Sequence, residues 1–275
     1  MERRRTSVVK NSYKEQTDLT HLPAGFATSL PAYKLTPEQI VSITQNLLIH
    51  SDQLSLYDLS LKDFSDASRE TLPLQIKLSE VTDLERRLPE KRLLATCRDY
   101  ALLTCSLFRH YEIPARVRCG FADYFISGQY EDHWICEYWD KQEDKWVKAD
   151  SQLDEHHLGA LDIDFEITNI PTGRFVTANQ AWFLYQEETD PFRFGQGEHR
   201  GEWFLVVNLC RDLLSLCHQE ISDWDGWRDA SLEARAGVLM TDWNIFAEQI
   251  KREPPLKRLL ELKNNHSDLL TPFWK

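Results

Sequence analysis

Residues 93–154 constrain the fold of this chain most, because a helical pattern is followed there by three stretches of strand pattern. Apolar and small side chains recur at helical spacing from Cys97 onward, and the helix is expected to end near Tyr111. Thr96 is a suitable N-cap, and Asp99 stands three residues later, where a capping box places its acidic partner. The pattern therefore predicts a helix whose first turn contains Cys97.

Three strands are predicted after this helix, over residues 115–121, 130–139 and 145–150. In each of them apolar and polar side chains alternate, which is typical of a strand with two different faces. A polar loop joins the last two strands as a hairpin. The core-facing side of this hairpin is expected to contain Trp134, Cys136, Tyr138, Val147 and Ala149. A helix followed by antiparallel strands places the chain in the α+β class.

The register of the hairpin predicts a pair of polar residues. If Tyr138 and Lys145 form the last pair before the loop, His133 lies directly across from Asp150. Cross-strand neighbours have Cβ atoms about 5 Å apart. A carboxylate at that distance can accept the proton of one imidazole nitrogen, which leaves the other nitrogen free as a base. A slip of one residue in register would remove this pair.

Cys97 lies at the predicted start of a helix, where free backbone N–H groups and the helix dipole stabilise an anion. Such a position favours the nucleophilic thiolate form of a cysteine, and the backbone N–H can face a developing oxyanion. Cys105, two turns later, lacks this environment and is expected to be a packing residue. A cysteine at a helix start with a His–Asp pair on the following strands is typical of thiol catalysis.

The same residues resemble the transglutaminase-like core, a superfamily of papain-like thiol enzymes found in transglutaminases, peptide N-glycanases and many bacterial cysteine hydrolases. The resemblance covers about residues 80–155, and Glu112 replaces the first glycine of the family's second motif. The whole chain is also similar to bacterial transglutaminase-like proteins with an acidic, helical C-terminal part. The matching motifs, in the order of the family, are Cys97-Arg98-Asp99-Tyr100-Ala101, Leu107-Phe108-Arg109-His110-Tyr111-Glu112-Ile113-Pro114-Ala115-Arg116-Val117-Arg118, Asp132-His133-Trp134 and Trp146-Val147-Lys148-Ala149-Asp150.

This resemblance implies a papain-like α+β core in which Cys97 is the nucleophile, His133 the general base and acid, and Asp150 the residue that orients the histidine. No metal or organic cofactor is needed, and the implied substrate is a peptide, a protein or a small amide. A thioester intermediate could pass to water, as in a protease, amidase or deamidase, or to an amine, as in an acyltransferase. The alternative is a non-catalytic module that binds a peptide or a partner on the same scaffold.

The rest of the chain is expected to form two further parts around this core. A lead-in over residues 1–35 precedes a core of residues 36–155, and an acidic, Trp-rich helical part follows over residues 156–275 and may be packed with the core as one domain. Before the Cys97 helix, one helix is predicted from the Thr36 cap through His50, and a second over Ser79–Leu88. The helices predicted in the C-terminal part are Ala178–Glu188, Glu202–His218, Ser231–Lys251 and Leu256–Asn264.

The negative charge of the chain is concentrated in the C-terminal part. The formal net charge is −12, and residues 151–250 alone contain 18 Asp and Glu, 6 Arg and no Lys. This balance argues against nucleic-acid binding and against docking on an anionic membrane, both of which require a basic surface. No apolar run approaches the roughly 18 residues of a membrane span. The acidic part hints at a basic or amine-bearing substrate.

The six cysteines include no Cys-x-x-Cys pair, and the basic start of the sequence lacks the apolar region of a secretory signal. These features predict reduced thiols and a cytoplasmic location.

Two clusters of polar and aromatic residues are interpreted as structural features rather than as binding sites. Asp154-Glu155-His156-His157 has the residue types of a metal site but is interpreted as a polar loop beside the cleft, and Asp223-Trp224-Asp225-Gly226-Trp227 as helix packing rather than a ligand platform. Oligomeric state is not predicted.

Overall fold

The structure is a computed structural model that describes residues 11–64, 72–220, 243–252 and 254–270. It confirms an α+β protein that combines helices with a mainly antiparallel sheet. The described helices, numbered in chain order, are α1 Ala24–Ser29, α2 Pro37–Leu47, α3 Leu74–Lys77, α4 Cys97–His110, α5 Glu155–Ala160, α6 Ala178–Gln186, α7 Glu202–Leu216, α8 Asn244–Lys251, α9 Leu256–Asn265 and α10 Ser267–Leu270. The strands are β1 Leu48–His50, β2 Leu93–Ala95, β3 Ala115–Ala122, β4 Tyr130–Asp140, β5 Lys145–Ala149, β6 Phe175–Thr177, β7 Phe194–Gln196 and β8 His199–Arg200.

Two compact units divide the chain. The N-terminal unit contains the described residues up to Val117 together with Trp134–Pro171, and the C-terminal unit contains Arg118–His133 and the described residues from Thr172 onward. Strands β3 and β4 each contribute residues to both units. The boundaries between these units do not coincide with the boundary expected near residue 155. The three-part organisation of the sequence stays a prediction.

The N-terminal unit is built around α4, which begins at Cys97 as predicted. Helix α2 packs against α4, and the hydroxyl groups of Thr44 and Thr104 lie 3.1 Å apart at this buried contact. On the strand side, Phe108 stacks on Tyr138 with ring centroids 4.4 Å apart. The chain after α2 adds a small parallel pair, β1 with β2, and β2 leads directly into α4.

The predicted hairpin of β4 and β5 is confirmed, but its predicted register is wrong by two residues. Asp140 pairs with Lys145, and the ladder ends at Cys136 and Ala149, so it does not pair His133 with Asp150. The turn is tight because the Asp140 carboxylate accepts the N–H groups of residues 142 and 143, at 2.7 and 3.1 Å. A slip of two preserves the faces of a strand, and the predicted core face is buried as expected.

The C-terminal unit places its strands in the order β6–β3–β4–β7–β8. Strand β3 pairs antiparallel with β6, and β4 begins as a parallel partner of β7. Helix α7 is almost completely buried, and α6, α8 and α9 pack on it. Phe121 of β3 contacts both Phe194 of β7 and Phe204 of α7, with centroids 5.2 and 6.1 Å apart. These contacts form the core of the unit.

Two predictions about the first hundred residues were wrong. The helix that begins at Thr36 ends at Leu47, and β1 follows where the helix was expected to continue. Within the predicted lead-in, residues 11–35 include α1 and the buried side chains of Tyr13 and Phe26. The helix predicted over Ser79–Leu88 is absent from the described residues of that segment, which are turn and irregular backbone.

The side chain of Asn46 explains why residues 79–88 are not helical. Its amide donates to the carbonyl of Glu85 at 2.6 Å and accepts the N–H of Arg87 at 2.6 Å. Backbone groups that would form helical hydrogen bonds are therefore satisfied by a side chain of α2 instead. This tertiary contact has no signature in the local sequence pattern.

The helices predicted in the C-terminal part are confirmed wherever the structure describes them, as α6, α7 and α9. Only the end of the predicted Ser231–Lys251 helix is described, as α8, and the cluster at 223–227 lies outside the described residues. No helix in the described ranges is long and apolar enough to cross a membrane.

We predict that Gly120→Ala destabilises the protein strongly. A Cβ at Gly120 would lie 2.2 Å from the carbonyl oxygen of Val176, on the paired strand β6. Relief of this overlap requires a backbone shift, with a cost of about 1–3 kcal/mol or more in the free energy of unfolding. Gly159→Ala is the matched control, because a Cβ there meets no atom within 4 Å. Urea denaturation of both variants checks this, and equal stability of the two would contradict the observed pairing of β3 with β6.

Candidate functional site

The start of α4 is held by a buried carboxylate. Asp99 accepts the backbone N–H of Thr96 at 2.8 Å, which is the predicted capping box, and the ammonium group of Lys77 at 2.9 Å. Lys77 also donates to the carbonyl of Leu94 in β2, at 3.0 Å. The Asp99–Lys77 pair is almost completely buried, so it fixes the strand end and the helix start together. Cys97 is thereby the first residue of the helix.

Cys97 differs from the other cysteines in its exposure. All six cysteines lie in the described part of the chain and carry free thiols, and five of them are buried, whereas Cys97 is partly exposed. Burial raises the pKa of the Cys136 thiol well above its usual range, and a hydrogen bond with Cys105 adds to this shift. Burial also raises the pKa of Cys210 and of Cys217 to about 12. These buried thiols stay protonated and are packing residues, as Cys105 was expected to be.

Asp150 lies just after β5 and is 1% exposed. Its backbone N–H donates to the carbonyl of Ile167 at 2.8 Å, and its carboxylate accepts the N–H of Gln152 at 3.0 Å. The next residue, Ser151, accepts a hydrogen bond from Thr104 at 2.7 Å and donates to the carbonyl of Tyr100 at 3.3 Å. The segment that contains Asp150 therefore contacts the first two turns of the helix that begins at Cys97.

His133 belongs to the C-terminal unit, where it is 2% exposed in β4. Its ring is surrounded by aromatic edges, with centroids 4.9 Å from Phe125, 6.1 Å from Tyr124 and 6.4 Å from Phe175. Side chains that line an imidazole from several sides restrict its rotation. The position of this histidine is therefore well defined within its unit.

Polar side chains of helix α7 bind residues of β3 and the residue that precedes His133 in β4. Asp212 accepts two hydrogen bonds from Arg118, at 2.9 and 2.8 Å, and one from the N–H of Cys119 at 3.1 Å. Asp132, which precedes His133, accepts from Asn208 at 2.8 Å and from Arg211 at 3.3 Å. The sequence pattern predicted α7 as a helix but did not predict these buried polar contacts.

A second polar network in the N-terminal unit was also missed. Asp154 is the N-cap of α5, so the predicted polar loop is in fact the start of a helix. Its carboxylate accepts hydrogen bonds from the Tyr57 hydroxyl at 2.7 Å, from Arg92 at 3.2 Å and from Nδ1 of His157 at 2.8 Å. The other ring nitrogen of His157 lies 2.8 Å from the side-chain oxygen of Gln53. These atoms bind one another, and no cluster of metal-ligating residues occurs among the described residues.

The network keeps Asp154 ionised. Burial raises the pKa of Asp154, but the hydrogen bonds from His157 and Tyr57 outweigh this effect and hold it below its usual range. Burial, together with the hydrogen bond to Asp154, raises the pKa of Tyr57, which therefore stays a neutral donor. Burial raises the pKa of Tyr100, one helical turn after Cys97, and the side chains of Tyr57, Asp154 and Asp150 add to this shift. Members of the network therefore act electrostatically on the first turn of α4.

Comparison with known proteins agrees with the motif pattern. Residues 66–151 match the family model of the Transglutaminase-like superfamily. This segment of the chain is transglutaminase-like. It contains Cys97, His133 and Asp150. No curated protein matches the chain.

One solved structure from Cytophaga hutchinsonii, described as a "Putative Cysteine Protease", is similar at 15% sequence identity. The match covers 62% of this chain but only 45% of that protein, so the chain spans less than half of its length. The TM-score is 0.37, a value too low to carry an argument about activity.

We predict that Asp154 contributes to stability above pH 4 and loses this contribution in acid. Its pKa is lower in the folded protein than the usual value of 3.8, so the unfolded chain takes up a proton first as the pH falls. Asp154→Asn should lower the free energy of unfolding by about 1.5–3 kcal/mol at pH 6, the value of a hydrogen bond to a charged group. The difference from the parent protein should shrink below pH 4. Urea denaturation between pH 2.5 and 6, with the exposed Glu143→Gln as control, checks this, and a constant difference would contradict it.

Proposed function

We propose that this protein is a cysteine-dependent enzyme that acts on an amide or a related acyl group through Cys97. The observation that carries the proposal is the place of Cys97 at the first position of α4, partly exposed, whereas the other five cysteines are buried. Free N–H groups at a helix start stabilise the thiolate, which is the nucleophilic form of cysteine. Cys97 also lies within residues 66–151, which match the family model of the Transglutaminase-like superfamily.

In the proposed reaction, the Cys97 thiolate attacks the carbonyl carbon of the substrate and forms a tetrahedral oxyanion. His133 then donates a proton to the leaving amine, the C–N bond breaks, and a thioester remains on Cys97. His133 then takes a proton from the water that attacks the thioester, the C–S bond breaks, and the acid is released, which restores the Cys97 thiolate and the protonated His133. Asp150 is proposed to orient the histidine and to stabilise its charged form.

We propose hydrolysis as the first candidate reaction and acyl transfer to an amine as the second. The steps up to the thioester are identical, and the two reactions differ only in whether water or an amine attacks it. The free state of all six cysteines favours action in a reducing compartment such as the cytoplasm. A non-catalytic binding module on the same scaffold is the competing function, and it predicts no special reactivity at Cys97.

We predict that iodoacetamide modifies Cys97 at least about tenfold faster than any other cysteine, because its thiol alone is exposed at a helix start. The rate should persist below pH 7, where ordinary thiols are protonated. Peptide mass spectrometry after timed alkylation between pH 5.5 and 8.5 measures this. Cys97→Ser should remove the fast reaction, and Cys217→Ser should leave it unchanged. A rate that falls tenfold for each pH unit below 8 would favour the binding module.

We predict that Cys97→Ala lowers turnover by a factor of about 10³ or more, as the loss of a nucleophile does in related chemistry. Intact-mass spectrometry with a mixture of peptides and amides identifies the substrate, because an acyl group trapped on Cys97 adds its own mass. The thermal midpoint of unfolding should stay within a few degrees, since Cys97 is not part of the buried core. Full turnover by Cys97→Ala would refute the proposed mechanism, and Cys210→Ala tests for a nonspecific effect of removing a thiol.

A further inference from the structure

A polar cleft in the N-terminal unit lies beside the Asp154 network and is assigned no role in the reaction above. It has a volume of about 360 Å³. We call it the Arg92 cleft, and its polar lining residues include Gln45, Asn46, Arg86, Arg92, Asp154 and Glu155. A cavity of this size accommodates a small organic molecule or the end of a peptide.

Arg92 is the buried charge in this cleft. Its side chain is 10% exposed, and its guanidinium donates to Asp154 at 3.2 Å and lies 5.7 Å from the centre of the Tyr57 ring. Within the ranges that the structure describes, Nε of Arg92 is buried and has no hydrogen-bond partner. An unsatisfied buried donor on a charged group costs free energy, so this position favours an acceptor from outside the protein.

The buried carboxylate of the cleft, Asp154, has little capacity left for a cation. The two oxygens of Asp154 already accept hydrogen bonds from Tyr57, Arg92 and His157, and from the backbone N–H groups at the start of α5. A carboxylate has about four lone-pair sites, and these are occupied. Glu155 lies 3.7 Å from Arg86 at the open side of the cleft.

The basic side chains, in contrast, retain free donors. Arg86 is 86% exposed, and within the described ranges it makes only a long ion pair with Glu155, which is itself 73% exposed. Among the buried groups of the cleft, Asp154 is saturated and Nε of Arg92 is not, so the unmet buried hydrogen-bonding capacity is on the donor side. The group that matches two guanidinium forks is a planar anion with two acceptor oxygens, which is a carboxylate.

Residues that line the cleft are close in sequence to Cys97 and Asp150, the two proposed catalytic residues of the same unit. Arg92 precedes β2 and stands five residues before Cys97, which limits their Cα separation to roughly 18 Å. Asp154 stands four residues after Asp150, and both carboxylates act electrostatically on Tyr100. A ligand group in the cleft is therefore within a short peptide's length of Cys97.

We propose that the Arg92 cleft binds a free carboxylate of the substrate. Resting on the proposed function, this names the substrate class as amides that carry a free carboxylate within about five residues of the scissile bond, such as a peptide with a free C-terminus. Arg92 is the buried anchor, and Arg86 is the exposed second contact. The amide carbonyl extends from the cleft toward Cys97.

Binding tests this without any turnover. Full-length Cys97→Ala is titrated with N-acetyl-alanine, which has a carboxylate, and with N-acetyl-alaninamide, which has the same shape and no charge. Nitrogen-15 NMR of the arginine Nε–H groups reports the contact directly. The carboxylate should bind at least about tenfold more tightly, the value of one good charge-assisted hydrogen bond, and should shift the Nε signal of Arg92. Equal binding of the two compounds would overturn the proposal.

Three variants locate the site. Arg86→Gln should weaken N-acetyl-alanine binding severalfold without unfolding the chain, because this side chain is mostly exposed. Arg92→Lys keeps the charge near Asp154 but removes the fork, so binding should fall further. Arg258→Gln is the matched control, because Arg258 is exposed, pairs with Glu261 at 3.1 Å and belongs to the other unit. Carboxylate binding that is unchanged in both cleft variants would place it elsewhere and overturn the proposal.

The outcome is independent of the proposed reaction. If the carboxylate is preferred but Cys97 shows no enhanced alkylation, the Arg92 cleft stands as a binding site and the thiol enzyme fails. If Cys97 is reactive and both compounds bind equally, the enzyme stands and the carboxylate site fails.

Discussion

The buried ion pair between Asp99 and Lys77 determines where α4 begins, and the arrangement of the N-terminal unit depends on it. The carboxylate caps the helix through the N–H of Thr96, while Lys77 ties the same carboxylate to the end of β2. A helix without this cap could begin one residue earlier or later. Cys97 would then lose the first position, where the free N–H groups of the helix are concentrated. The chemistry proposed for Cys97 is therefore set by residues that never contact a substrate.

The local sequence pattern predicted helix α4 and the β4–β5 hairpin. It did not predict the features that depend on tertiary contacts. The capping residues and apolar spacing of 96–110 define α4 almost to the residue, because a helix start is specified by neighbours in sequence. The β4–β5 register depends on the turn, and the side chain of Asp140 closes that turn two residues later than the pattern suggested. Asn46 likewise removes a helix from a segment about forty residues away.

The candidate site likewise combines local features that could be predicted with distant contacts that could not. The motifs predicted Cys97, His133 and Asp150 as candidate catalytic residues by residue type and order, and the structure gives each a defined environment within its own unit. The contacts that support them were not predictable, since Asp212 and Arg211 lie about eighty residues or more from the strand residues they bind. Nothing in a helical pattern distinguishes an Asp that faces solvent from one that accepts a buried arginine. The Asp154 network was hidden for the same reason, because Tyr57 and Arg92 donate to it from two segments that are distant in sequence.

These buried pairs also change the meaning of the acidic composition. Asp212 in the acidic part and Asp132 are neutralised by Arg118 and Arg211, so part of the negative charge does not reach the surface. The remaining excess acts on a ligand only through solvent, where physiological salt screens charges beyond about 8 Å. A guanidinium fork acts at hydrogen-bond distance and in partial burial, where screening is weak. In the proposed binding mode, Arg92 and Arg86 rather than the net charge of −12 select the charge of the substrate, and an anionic substrate group is compatible with an acidic protein.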